Sequence, residues 1–148
     1  MSLVTLVNLS DIEVIPSLNK NKKEDADKLA NILCETHFLF VPTRADCSLP
    51  SAGEANAYGI PVITTETGGV TEVVKDGING YCLPYTANGN IYAALISELF
   101  IDEIRYRELI FSSREHFEKH LNWNKWAQGF RELFEKNVES KISEVLMN

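Results

Sequence analysis

The chain has 148 residues, 45% apolar and 24% charged, which fits one globular domain of ordinary size and excludes a disordered, fibrous or low-complexity protein. Fourteen Lys and Arg against 21 Asp and Glu leave a net charge of −7, so the overall field repels nucleic acid and anionic membranes, although backbone amides can still build a local anion site. No apolar run approaches the ~18 residues of a membrane helix, the N-terminus does not read as a signal peptide, and the spacing of Cys34, Cys47 and Cys82 fits a reduced, cytoplasmic chain.

In chain order, residues 4–18 are apolar and β-branched, and a strand is predicted around Glu13-Val14-Ile15, closed by Pro16. Asn19 to Asp27 is a polar loop running into a helix whose stripe is Leu29, Ile32 and Leu33. Phe38-Leu39-Phe40-Val41, closed by Pro42, reads as a strand buried on both faces. Leu49 to Tyr58 is predicted helical, stopped by Gly59, and Pro61-Val62-Ile63-Thr64 is a second buried strand. Thr67-Gly68-Gly69 is a turn before a short helix through Val74; Asp76-Gly77 and Asn79-Gly80 are turn signals, and Tyr81-Cys82-Leu83 is a third strand. From Asn88 the pattern is helical, with a stripe at Ile91, Leu95 and Leu99. Asp102 is read as the cap of a helix over 103–118. Asn122 is read as the cap of a last helix whose stripe of Trp123, Trp126, Phe130, Leu133 and Phe134 fits a core face.

Alternating strand and helix over residues 13–83 argue a three-layer, Rossmann-like partial α/β domain with a small parallel sheet. Residues 4–87 form its α/β part, and the helices of 88–148 are expected on one side of the sheet. Ligands of open parallel sheets bind beyond the carboxyl ends of the strands, here the loops Pro42–Ser48, Thr64–Gly69 and Pro84–Asn88.

Taken singly, the polar residues of these loops have plain structural readings. Asp46 favours a helix start, Arg44 braces a loop, and Ser51-Ala52-Gly53-Glu54 fits a capping box. His116 and His120 share a helix face without the further ligand a metal site needs. Cys47 has no partner in sequence that would make it a catalytic thiol.

Taken as an ordered set, the same residues carry a resemblance. Pro42-Thr43-Arg44, Asp46, Glu54-Ala55, Gly59-Ile60-Pro61-Val62-Ile63, Gly68-Gly69, Glu72-Val73-Val74, Asp76-Gly77 and Gly80 resemble the donor half of retaining GT-B glycosyltransferases of group 1, the glycogen-synthase and mannosyltransferase-like family. The Asn122-Trp123 helix start is similar as well. The resemblance implies a nucleoside-diphosphate sugar as donor, no metal or other cofactor, and a glycan or lipid acceptor held by an N-terminal domain. It places the first acid of the family's E-x7-E motif on Asp46, facing the transferred sugar, and the second on Glu54, whose carboxylate would accept from the ribose hydroxyls. It places the amides of Cys47, Ser48 and Leu49 toward the diphosphate, the Gly68-Gly69 backbone close to the donor, and Arg44 at the site.

This sequence departs from the family at three points. Asp46 replaces a Glu and is one methylene shorter; Leu49, followed by Pro50 with no amide to donate, replaces a glycine. No glycine-bearing loop with a paired Arg and Lys precedes residue 38. The expectation is a single domain cut from a longer enzyme, inactive alone and cytoplasmic, with peripheral contact to the inner membrane face through the missing part. The alternative is a degenerate donor domain serving as an interaction module. An unrelated doubly wound domain binding another phosphate ligand would not depend on Glu54.

Overall fold

A computed structural model describes residues 12–146, and the side chains of 12–138. The chain divides into two compact units, with the break after Ile32.

In the first unit, residues 12–19 are irregular. The strand predicted at Glu13–Ile15 is absent, and Val14 is 86% exposed: β-branched residues become a strand only when a neighbour completes the hydrogen-bond ladder. The remainder of the 4–18 segment, residues 4–11, lies outside the described residues. The Asn19 amide donates to Asp25 Oδ2 at 2.9 Å and Lys22 N–H donates to the Asn19 carbonyl at 2.8 Å, which starts helix α1 (Lys23–Glu35), whose last turn belongs to the second unit.

The second unit carries β1 (Leu39–Val41), α2 (Pro50–Ala57), β2 (Val62–Thr65), α3 (Val70–Val73), β3 (Gly80–Leu83), α4 (Gly89–Ile101) and α5 (Glu103–His116), then a π-helical turn (Phe117–Leu121) and α6 (Trp123–Leu146). The three strands form one parallel sheet in the order β1-β2-β3, with Leu39 beside Val62 and Val62 beside Gly80. This α/β architecture is the one expected.

All four residues of β2 are buried. Because side chains alternate across a strand, Val62 joins Leu49, Ala52, Ala55, Ile60, Val70 and Val74 on one face, under α2 and α3. Ile63 joins Ala87, Tyr92, Leu99 and Leu109 on the other, under α4 and α5. Gly80 is required where it stands: a Cβ there would collide with the Val62 carbonyl. A buried amide pair ties α2 to the turn before β3. Asn79 Nδ2 donates to Asn56 Oδ1 at 2.7 Å and to the Val73 carbonyl at 2.9 Å, and Asn56 Nδ2 donates to the Ile60 carbonyl at 3.0 Å.

Two expectations are corrected. β1 is not buried on both faces: among the described residues it lies at the edge of the sheet, and Phe40 is 47% exposed, met edge-on by Tyr92 at 5.2 Å between ring centroids. The stripe of α6 is not core. Trp123 is 82% exposed, and Trp126, Phe130, Leu133 and Phe134 are likewise exposed; the core on that face of the sheet is built by residues of α4 and α5 and the segments beside them. The two caps stand as read: Asp102 Oδ1 accepts from Arg105 N–H at 3.1 Å, and Asn122 Oδ1 accepts from Lys125 N–H at 3.0 Å.

Candidate functional site

The carboxyl ends of the parallel strands are Val41, Thr65 and Leu83. Between the loops that follow β1 and β2 lies an open cleft of about 560 Å³, lined by Ala45, Asp46, Cys47, Thr67 and Gly68. The two loops meet backbone to backbone at two glycines. A Cβ on Gly68, whose φ is 51°, would strike the Asp46 carbonyl oxygen, and one on Gly69 would strike that of Cys47. The pair of glycines is therefore what lets the β2–α3 loop close on the β1–α2 loop.

Asp46 holds the start of α2. Its Oδ1 accepts from the amides of Leu49 and Ser48, each at 3.0 Å. These bonds, Leu49 first, keep its carboxyl below the usual carboxylate range. Of the amides expected to face an anion, those of Ser48 and Leu49 donate to Asp46, and Pro50 supplies none. Leu49 occupies the N-cap position in a left-handed conformation (φ 40°, ψ 67°) with its side chain buried. That backbone costs a leucine roughly 1–2 kcal/mol, and burial of the side chain in the α2 core offsets it.

Arg44 reaches over to the third loop. Its Nη1 donates to the Tyr85 carbonyl at 3.0 Å, and its guanidinium stacks 4.7 Å from the centre of the Tyr85 ring. It braces the loop after β3 to the loop after β1, passing the end of the strand between them. Glu54 stands exposed on α2. Since the cap of α2 is Leu49 and not Ser51, Glu54 lies beyond the third helical position that a capping box uses. Of the residues singled out by sequence, the cleft lining brings together Asp46, Cys47 and Gly68; Arg44, Ser48, Leu49, Glu54 and Gly69 do not line it. Ala45 and Thr67 complete the lining and carried no sequence signal beyond their place in the predicted loops.

Elsewhere, the His116 and His120 rings lie 4.8 Å apart, and His116 Nε2 is buried without a hydrogen-bond partner. Burial, with His120 and Lys75 nearby, holds the His116 imidazole below its ordinary pKa. Burial pushes the Cys82 thiol up to about 11. Among the described residues, no three His, Cys, Asp or Glu side chains converge as metal ligands, and no described helix is long and apolar enough to cross a membrane.

Comparison with known proteins bears on this geometry. Residues 50–116, from the first turn of α2 to the end of α5, match the family model of glycosyl transferases group 1. The chain is 33% identical to an uncharacterized glycosyltransferase of Methanocaldococcus jannaschii over 129 residues, 87% of this chain and 34% of that protein. It is 34% identical to the spore coat protein SA of Bacillus subtilis over 84 residues, 57% of this chain and 22% of that protein. The chain thus spans about a third or less of the curated relatives it matches. Together these likenesses support a glycosyltransferase group 1 domain, centred on the segment that carries α2, β2, β3 and α5.

Proposed function

We propose that this chain is the donor-binding part of a retaining glycosyltransferase of GT-B architecture, and that the cleft between the β1–α2 and β2–α3 loops receives a nucleoside-diphosphate sugar. The observation that carries this reading is the glycine-mediated contact of Gly68 and Gly69 with the Asp46 and Cys47 carbonyls, which builds a cleft at the carboxyl ends of adjacent parallel strands. In this reading Glu54 accepts hydrogen bonds from the ribose hydroxyls, and Asp46 faces the transferred sugar. Cys47, Ser48, Leu49, Gly68 and Gly69 supply the close backbone, and Arg44 keeps the third loop in place. The reading assigns no metal to donor binding. It places the glycan or lipid acceptor on a part of the protein outside this chain, so that the chain alone turns nothing over.

One observation favours a second reading, a degenerate donor domain that acts as an interaction module. The Ser48 and Leu49 amides are already bonded to Asp46, so the anion-binding capacity of this helix start is reduced. Amide chemical-shift titration with UDP-glucose, GDP-mannose and ADP-glucose, with Glu54→Ala in parallel, separates the two. Shifts at residues 44–54 and 66–70 that vanish in the variant support donor binding. Equal binding by the variant removes the ribose role of Glu54, and silence with every nucleotide on the full-length protein favours the module.

A further inference from the structure

α5 ends at His116 and runs directly into the π-helical turn Phe117–Leu121. A turn of this kind within a helical run is rare and recurs at functional sites. Asn122 closes its far end: Nδ2 donates to the Phe117 and Glu118 carbonyls at 3.0 and 2.7 Å, while Oδ1 caps α6. His116 stands at the near end, its ring 4.8 Å from that of His120. Among the described residues, the buried side-chain polar atoms without a hydrogen-bond partner are Ser113 Oγ and His116 Nε2. They are three positions apart on α5 and so share one side of the helix. This chain itself covers both atoms.

The two protonation states of His116 differ sharply in such a place. A neutral imidazole keeps one nitrogen as an acceptor, whereas the imidazolium donates from both. A proton taken up at Nε2 therefore becomes a buried, charged donor facing no acceptor, which is costly. The charges around the ring do not offset that cost. Those that act on it are two cations, His120 from the turn and Lys75 from the segment after α3. Lys75 is paired with Glu72 at 3.4 Å, but that carboxylate is 84% exposed and the pair is weak. The nearby acids are engaged elsewhere: Glu118 with Arg114 at 2.8 Å, Glu115 with Lys119 at 2.6 Å, and Asp76 with the Cys82 amide at 2.7 Å. α2 lies against the turn, where Gly53 approaches the Leu121 carbonyl, and its titratable residues Glu54 and Tyr58 are both exposed. On the α6 side Lys125 is bonded to Gln128.

We propose that His116 is a pH-sensitive latch on the junction between α5 and α6: neutral, it packs at the π-helical turn and holds the junction closed; protonated, it leaves its place and residues 113–125 open locally while the sheet stays folded. The proposal is independent of the donor site. In the open junction His116 has its ordinary pKa of 6.5, and in the closed one a lower value. Opening is therefore suppressed above pH 6.5 and rises as pH falls, by up to about tenfold per pH unit, until the lower value is passed. Hydrogen exchange of the full-length protein, followed by mass spectrometry between about pH 5 and pH 8 and expressed as protection against the intrinsic rate, reads this opening. The expected result is protection over residues 113–125 that falls below pH 6.5 while protection over residues 62–65 holds. His116→Gln, neutral at every pH, should give a flat profile. Where circular dichroism shows that this variant does not fold, Lys75→Gln decides. Its side chain is 40% exposed, and loss of that cation raises the closed-state pKa, so the fall should be smaller and level off at a higher pH. An equal fall in His116→Gln, or a fall in Lys75→Gln as large as in the unmodified protein, overturns the proposal. So does protection over residues 113–125 that ignores pH, or that is lost together with that of residues 62–65.

Discussion

In β2 every residue is buried, whereas along the first half of α6 the large apolar side chains stand in solvent. Both segments are apolar in sequence, and what separates them is position. β2 has a strand on each side and a helical layer on each face, so its alternating side chains feed two cores. α6 follows a π-helical turn after the last helix that covers the sheet, and no core cluster includes its described side chains. Substitutions should therefore be costly around β2 and nearly silent for stability on α6.

The largest expected effect is at the β2–β3 contact. Gly80→Val puts a branched side chain against the Val62 backbone and should lower stability by about 3 kcal/mol or more, seen as a loss of urea midpoint. Next is the buried amide pair: Asn56→Ala leaves the Asn79 amide and two carbonyls short of partners and should cost about 2–3 kcal/mol. Leu49→Gly sets two terms against each other. Relief of the left-handed strain returns roughly 1–2 kcal/mol, but loss of a buried leucine costs about 2–5 kcal/mol, so a net loss of about 2 kcal/mol is expected, and a more stable variant would show that strain dominates.

A smaller effect is a slope with pH. The folded pKa of His116 lies below its ordinary 6.5, so the stability it contributes is present above pH 6.5 and is lost as pH falls through the lower folded value, because the unfolded chain binds the proton first. His116→Gln should flatten that part of the profile measured by thermal unfolding. Asp46 acts in the same direction at lower pH: its contribution is present above 3.8 and lost as pH falls through its depressed folded value. The smallest effect belongs to α6. Leu133→Ser, at a position 64% exposed, should change stability by no more than about 0.5 kcal/mol, and a large loss would mean that the stripe is packed.

Several features of the site were legible before any coordinates. Gly68-Gly69 and Asp46 could be placed on facing loops because apolar runs broken by Pro42, Gly59 and Pro84 are local signals. The hydrogen bonds of Asp46 were not legible. They depend on Leu49 adopting a left-handed backbone that sequence disfavours and the buried environment sustains. Nor did the sequence reveal that Arg44 spans to Tyr85, 41 positions away, or that Leu49, not Ser51, caps α2.

By itself the sequence determined where the elements of the second unit lie, which residues cap α5 and α6, and which loops follow the carboxyl ends of the strands. Each follows from side-chain periodicity, capping chemistry and turn residues, all short-range along the chain. Only the tertiary structure decided that residues 12–19 form no strand, that Phe40 is half exposed, and that the α6 stripe faces solvent. A hydrophobic pattern states which face of an element would be buried if a partner is present, and the presence of that partner is a property of the whole fold.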